Sequence, residues 1–356
     1  MNPDLTVVGP EIPLVGGVVD QFRAAKRKIV GPAQDAARLE GSKIYSKEFM
    51  RQLGIATARF LRVDSVDAGL AALADFAYPV VIKADGLAAG KGVIIAYGRA
   101  QAEAAVRSLG PLLVIEEFLQ GEEVSFIALC DGKNIVPLEA TQDHKAVSDN
   151  DTGPNTGGMG AYCDGRILAA ADVKHVLDTV IGPVVEATSF TGFLYAGLMM
   201  TADGPKVLEF NVRLGDPETQ PLMHRLDSPL GDVLMASATG SLSGVTLRWK
   251  PQPSVCVVLA AAGYPGPIRT GDLISGIPGC GAQVFQAGTK QSDKGLQTAG
   301  GRVLGVTASG RDLAAAAVNA YAAVRNIHFE GMHYRSDIAR KGLKRWGPAT
   351  IKTIAP

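Results

Sequence analysis

Two lysines flank a glycine-rich loop in Pro79-Val-Val-Ile-Lys83-Ala-Asp85-Gly86-Leu-Ala-Ala-Gly90-Lys91-Gly92. An apolar run ends on the first lysine and passes straight into the loop that carries the second. Glycines let backbone amides approach a ligand closely, since no Cβ intervenes and positive φ is open to them. Successive N–H groups in such a loop form an anion-binding concavity, to which two ammonium groups add point charges. The chemistry this suggests is a polyphosphate grip. It is not a Walker A loop, which needs four residues between its glycines and Ser or Thr after the lysine. Here three residues separate Gly86 from Gly90, and Gly92 follows Lys91. The alternative is a plain hairpin with solvated lysines.

Three further groups bear on that choice. Glu116-Glu117-Phe118-Leu119 and Glu123 follow an apolar strand, and such a segment can present backbone to a base and carboxylates to ribose hydroxyls; a charged surface turn is the other reading. In Leu208-Glu209-Phe210-Asn211-Val212-Arg213, the period of two puts Glu209, Asn211 and Arg213 on one face and the apolar residues on the other. A carboxylate beside an amide oxygen suits Mg²⁺, a hard cation, and an arginine can clamp phosphate or carboxylate bidentately. A plain amphipathic edge strand shows the same alternation. Finally, Gln142–Gly160 is polar, glycine-rich and weakly periodic, as in a loop that closes on small polar substrates. His144 within it fits a solvated loop side chain as well as a catalytic one, and the remaining histidines show no ligand spacing.

The elements that must hold these residues alternate. Asp4–Val8 and Lys28–Val30 are expected as strands around a helix Leu14–Lys26, a β–α–β unit of a parallel sheet. A helix is expected over Ser42–Leu53 with Ser42 as N-cap, then a strand to Phe60, a helix Asp67–Phe76 and the lysine strand. Ala100–Leu109 is expected as a helix and Leu112–Ile115 as a strand. Val124–Cys130 with Asn134–Leu138, and Gly192–Met200 with Lys206–Val212, are expected as hairpins. Helices are expected over Val173–Ala187 and Pro221–Gly240, and the change of character near Leu247 marks a further α/β domain.

At 356 residues, with 47% apolar and 20% charged residues, the chain is globular and has room for two to four domains. Basic and acidic residues both number 35, so no overall field favours nucleic acid or membrane. The four cysteines are far apart and form no C-x-x-C pair, which argues against a zinc knuckle or a disulfide framework. No apolar run approaches the ~18 residues of a membrane span, and no basic-then-apolar leader opens the chain. A cytoplasmic monomer that binds neither nucleic acid nor membrane is the expectation.

Taken together, Leu39-Glu-Gly-Ser-Lys43, Ile82–Gly92, Glu116–Glu123, Gln142-Asp-His-Lys145, Asp151–Tyr162, Phe193–Met199 and Glu209-Phe-Asn-Val-Arg-Leu-Gly-Asp-Pro-Glu-Thr-Gln220 resemble the phosphoribosylamine–glycine ligase (glycinamide ribonucleotide synthetase) family of the ATP-grasp superfamily. The resemblance implies an α/β (α+β ATP-grasp) fold: a partial N-terminal parallel α/β domain over residues 1–40, a two-lobed ATP-grasp domain over 41–240, and a C-terminal α/β domain over 241–356. It implies ATP-dependent ligation of glycine to 5-phosphoribosylamine through glycyl phosphate, with ATP and Mg²⁺ or Mn²⁺.

By the same resemblance, Lys43, Lys83, Asp85, Gly86, Gly90, Lys91 and Gly92 would hold the ATP phosphates. Glu116, Glu117, Phe118, Leu119 and Glu123 would hold the adenosine, and Glu209 and Asn211 the metal. Arg213 and Lys83 would be catalytic. Asp151, Thr156, Gly157, Gly158, Met159, Gly160, Arg213 and Asp216 would position the glycine, its acyl phosphate or the amine. The family's opening Gly-Asn-Gly-Gly-Arg-Glu-His turn is not in this sequence, and Tyr97–Pro111 is shorter than usual. An ATP-binding remnant without ligase activity and a ligase with another amine acceptor are therefore the alternatives.

Overall fold

A computed structural model describes residues 3–87 and 92–346, which divide into two compact units. The first comprises the chain up to Leu138 with Ala169–Leu214 and Pro229–Thr246; the second comprises Glu139–Leu168, Gly215–Ser228 and Leu247 onward.

The first unit opens with the short parallel strands Thr6–Val7 and Ile29–Val30. The stretch between them is two helices, Glu11–Val15 and Val18–Ala24, rather than the single helix expected. Gly16 and Gly17 break it, Gly17 at φ +80°, where an L side chain is strained.

The lysine strand Val80–Ala84 lies inside a four-stranded antiparallel sheet in the order Phe60–Val63, Leu113–Glu117, Val80–Ala84, Val93–Ala96. Helices Val66–Ala72 and Arg99–Leu109 cover one face, burying Val80, Ile82, Ala102, Ala105, Val106, Leu113 and Ile115. Lys83 faces away from this core. An antiparallel ribbon of Glu122–Asp131, Thr191–Thr201 and Gly204–Asn211, with Ile135–Pro137 at its side, completes the unit. Both expected hairpins are in it. The expected helix Pro221–Gly240 is two: Leu230–Thr239, in this unit, and Thr219–Arg225, in the second; Pro229, which has no N–H to donate, stands at the start of Leu230–Thr239.

In the second unit, Thr141–Asp143, Gly160–Cys163, Ser254–Ala260, Arg302–Ser309 and Gln283–Gln286 form an antiparallel sheet in that order. Helix Leu313–Val324 packs on it. The polar stretch 142–160, expected as an irregular loop, carries a further ribbon of Ala146–Ser148 against Thr152–Asn155. Asn150 and Asp151 turn it at positive φ, a conformation that short polar side chains tolerate. All four cysteines are free and buried.

Candidate active site

The helix Lys43–Gln52 starts where the lysine strand ends. Ser42 Oγ accepts from the Tyr45 amide at 3.1 Å and donates to Asp85 Oδ1 at 2.9 Å; the Ile44 amide donates to the same oxygen at 3.0 Å. Asp85 therefore caps the helix with a negative charge at its positive end. This places Lys43 in the first turn, where its Nζ donates to the Gly86 carbonyl at 2.8 Å. Burial lowers the Lys43 pKa and the nearby Glu209 carboxylate opposes that fall. Gly86 sits at φ +86°, and no atom of the described residues lies within 4 Å of where a Cβ would be. The Ala84 amide closes the other side of the loop by donating to Gly92 O at 2.8 Å. Gly90 and Lys91 lie outside the described residues.

Lys83 (6% exposed) and Lys47 (2%) both pair with Glu116 (1%), one on each carboxylate oxygen. Burial alone would raise the Glu116 pKa; the ammonium groups of Lys83 and Lys47 outweigh it, and the pKa falls. Burial brings Lys47 down to about 8 against the pull of Glu116. Lys47 Nζ also donates to Thr57 Oγ1 at 2.6 Å, and Lys83 Nζ to Leu208 O at 3.1 Å. Glu116 thus faces two buried cations.

Beyond it, Glu117 grips the Arg59 backbone: its Oε1 accepts from Arg59 N at 2.8 Å, and its own amide donates to Arg59 O at 3.0 Å. Phe118 is half-buried, and Leu119 is buried against Ala58, Met199 and Leu208. Gly121 follows because the backbone passes so close that a Cβ would lie 2.2 Å from Met200 O. Glu123 is half-buried, opposite Met199 in the ribbon.

Glu209 and Asn211 end the strand Gly204–Asn211, both half-buried. The expected alternation holds only past a bulge: Gly197 faces Glu209 and Leu198 faces Val207, leaving Leu208 extra. Arg213 Nη2 donates to Glu40 Oε1 at 2.8 Å and to Asn211 Oδ1 at 3.4 Å, and its Nε lies 3.6 Å from Glu11 Oε2. Glu40 also accepts from Val212 N at 2.8 Å. Burial raises its pKa, while Arg213 opposes the rise. Among the described residues, no three His, Cys, Asp or Glu side chains gather as a metal cage. Two oxygen donors on one strand nevertheless fit a cation such as Mg²⁺, which takes one or two protein ligands and fills its shell with water and phosphate oxygens.

The second unit holds the remaining predicted residues. Arg335, fully buried, donates to Asp151 Oδ1 at 2.9 Å and forks onto Asp337 at 2.7 and 2.8 Å; Lys341 reaches Asp151 at 3.1 Å. These partners outweigh desolvation and lower the Asp151 pKa, and hold Asp337 at about 2. Thr156 donates to Lys145 O through both amide and hydroxyl at 2.8 Å, and Gly158 N donates to Thr156 Oγ1 at 3.0 Å. Arg302 binds Gly157 O at 2.7 Å, Asp216 O at 2.7 Å and Asp216 Oδ2 at 2.9 Å, while Gly157 N donates to the Tyr264 hydroxyl at 3.1 Å. Met159 is buried; Gly160 has no room for a Cβ, which would fall 2.6 Å from Cys256 O.

Lys47, Glu40, Arg302 and Arg335 escaped the reading of the sequence as site residues. Lys47 follows Lys43 by one helical turn on the same face, the one pattern that could have singled it out.

Comparison with known proteins completes the picture. Residues 1–40, 41–219 and 254–341 match, in order, the N domain, the ATP-grasp (A) domain and the C domain of phosphoribosylglycinamide synthetase. The chain is 48% identical over 361 residues to a phosphoribosylamine–glycine ligase of Escherichia coli O6:H1, covering 96% of this chain and 84% of the relative. It is likewise 48% identical to that of Pseudomonas aeruginosa, over 97% of this chain and 84% of the relative. A crystal structure of the Thermotoga maritima phosphoribosylamine–glycine ligase superposes with a TM-score of 0.83 at 34% identity, covering 95% of this chain and 86% of that one. The biotin carboxylase domain of Hydrogenobacter thermophilus 2-oxoglutarate carboxylase shares the fold, with a TM-score of 0.72 at 16% identity over 92% of this chain and 75% of that one.

Proposed function

The chain belongs to the phosphoribosylglycinamide synthetase family of ATP-grasp ligases, and on that premise we propose how its side chains divide the family's reaction. It is an ATP-dependent carbon–nitrogen ligase of purine biosynthesis that joins glycine to 5-phosphoribosylamine, giving glycinamide ribonucleotide, ADP and phosphate. ATP and a divalent metal serve the reaction; Mg²⁺ is the metal we assign, with Mn²⁺ as substitute.

The observation that carries the residue assignment is the Lys83 ammonium ending on the Leu208 carbonyl, one residue from Glu209. It supports a cation for phosphate oxygens beside a carboxylate for the metal. Lys43, Lys83, Gly86 and Gly92 hold the phosphates, Gly90 and Lys91 are assigned there by the family resemblance, and Asp85 contributes by capping the helix that carries Lys43. The segment Glu117–Leu119 offers backbone to the base, Glu123 faces the ribose, and Glu116 orients the lysines rather than touching the nucleoside. Glu209 and Asn211 hold the metal, which when bound neutralises charge on the transferring phosphoryl group. Phosphoryl transfer needs positioning and charge neutralisation more than covalent help, which fits this inventory. Arg213, aligned by Glu40 and Glu11, stabilises the carboxylate as it is phosphorylated. In the second unit, Thr156–Gly160, Asp151 and Asp216 position glycine and the amine.

No described helix is long and apolar enough to cross a membrane. The four free cysteines fit a reducing cytoplasm, the balanced charge offers no field that would draw nucleic acid, and we propose a monomer. The test is ADP release from ATP and glycine with and without fresh 5-phosphoribosylamine. Release that depends on the amine is expected; ATP binding with no amine-dependent turnover overturns the assignment.

A further inference from the structure

Lys47 is a helix lysine with no part in the proposed division of the reaction, yet it is more deeply buried than Lys43 or Lys83. Lysine is almost never fully buried unless paired. Its pairing is part of a continuous chain in the first unit: Thr57 Oγ1 donates to Val207 O at 2.6 Å, Lys47 donates to Thr57 Oγ1 and pairs with Glu116, Glu116 pairs with Lys83, and Lys83 donates to Leu208 O. The chain begins and ends on consecutive carbonyls of one strand, at the bulge that precedes Glu209.

We propose that Lys47 is a positioning residue for ATP: by occupying one oxygen of Glu116 it fixes the other oxygen, and with it the Lys83 ammonium, against the strand that carries Glu209. The inference rests on the reading of Lys83 and Glu209 as phosphate and metal residues. A buried ion pair is weak evidence for stability, since apolar side chains of similar volume commonly serve as well. Two cations on one carboxylate leave a positive charge over, which a merely structural pair would not need and a polyphosphate site would use. A lysine stem rotates freely about four bonds, so a carboxylate free to swing would let the Lys83 ammonium wander. Held from the far side by Lys47, Glu116 offers Lys83 one place. Preorganised charge of this kind costs no rearrangement when the ligand arrives.

The experiment is steady-state ADP release with Lys47→Met, Lys47→Arg, Lys83→Met and the double variant Lys47→Met/Glu116→Gln, which removes the unbalanced carboxylate if the single variant folds poorly. Expected is a rise in the ATP KM of roughly tenfold or more in Lys47→Met, the scale of a lost charged hydrogen bond, with the glycine KM moving less than about twofold. Lys47→Arg, which keeps the charge, should recover part of it. The double variant should regain the wild-type melting temperature but not the wild-type ATP KM. A wild-type ATP KM in Lys47→Met, or a double variant that regains both, overturns the proposal. If Lys83→Met raises the ATP KM and Lys47→Met does not, this inference alone fails; if Lys83→Met also has no effect, the phosphate assignment fails with it.

Discussion

Lys83 donates its ammonium proton to the carbonyl of Leu208 at 3.1 Å, and Leu208 is the residue by which the strand Gly204–Asn211 slips against its neighbour. The bulge shifts the register by one residue, so it sets which face Glu209 and Asn211 share, and the Leu208 carbonyl at the bulge meets a buried cation. Without the extra residue the same pair would stand together on the other face.

Removing the cation should be costly at the chemical step. Lys83→Met leaves Leu208 O and one oxygen of Glu116 without their partner and takes a positive charge from the proposed phosphate site. The expected loss in turnover is about 10²-fold, comparable to removing one preorganised donor elsewhere. Lys83→Arg should not rescue it, because a planar guanidinium does not fit a point-charge site this buried. ADP release with saturating glycine and amine checks both.

Glu209→Gln keeps volume and hydrogen-bonding capacity but removes the charge of the proposed metal ligand. The concentration of Mg²⁺ that gives half-maximal rate should rise about 10-fold or more, the range seen when a ligand shell is altered. The circular-dichroism spectrum should be unchanged, as Glu209 is half-buried and the strand's apolar side is kept by Phe210 and Val212. An unchanged metal-dependence curve would remove the assignment.

Much of this was legible because periodicity and turn chemistry are local. The lysine strand, the hairpins about Asp131-Gly132 and Asp203-Gly204, and the Ser42 cap are where the residues placed them. The breaks at Gly16-Gly17 and Pro229 were visible as residues and were overridden by the apolar pattern on either side. Partners distant in sequence were not legible. Nothing around Lys47 in Lys43-Ile-Tyr-Ser-Lys47 shows that Glu116 and Thr57 wait for it, and nothing in Ala146–Asn155 shows that Arg335 will fix its turn. The ribbon in 142–160 escaped for a different reason: its strands are three and four residues long, too short for a period to show.

Gly158→Ala and Gly86→Ala separate backbone strain from contact. Gly158 has φ +114° and a Cβ there would lie 2.4 Å from Pro217 Cδ; Gly86 has φ +86° and, among the described residues, nothing within 4 Å of a Cβ. The first should lower stability by about 1–3 kcal/mol and raise the KM for glycine or the amine. The second should cost only the left-handed backbone term, about 1–2 kcal/mol at most, and act through ATP. Thermal unfolding and the three KM values read both. Equal effects on all substrates would argue against separate roles for the two loops.

His144, read from the sequence as a loop side chain that could be solvated or catalytic, is 1% exposed, and among the described residues neither ring nitrogen has a hydrogen-bond partner. Desolvation, with Lys341 and Arg335 adding repulsion, pushes its pKa down to about 3 although Asp151 and Asp337 pull the other way. The folded protein thus keeps the imidazole neutral, while the unfolded chain takes up a proton below about pH 6.5. In that window the unfolded state binds one proton more, so stability falls on acidification by about 1.4 kcal/mol per pH unit. Between pH 7 and pH 5 Asp337 stays ionised in both states, because its folded pKa is about 2 and its unfolded value lies near 3.9. His224, which burial and Lys250 also push down, titrates in the same window, so the share of His144 is read as the difference between wild type and His144→Phe. His144→Phe fills a similar space without the unpaired nitrogens, and should lose about 2 kcal/mol less than wild type from pH 6.5 to pH 5. Urea unfolding of the two proteins at pH 7, 6 and 5 measures the difference. Parallel pH dependences would mean that the folded protein accepts the proton, and that His144 is not sealed from charge.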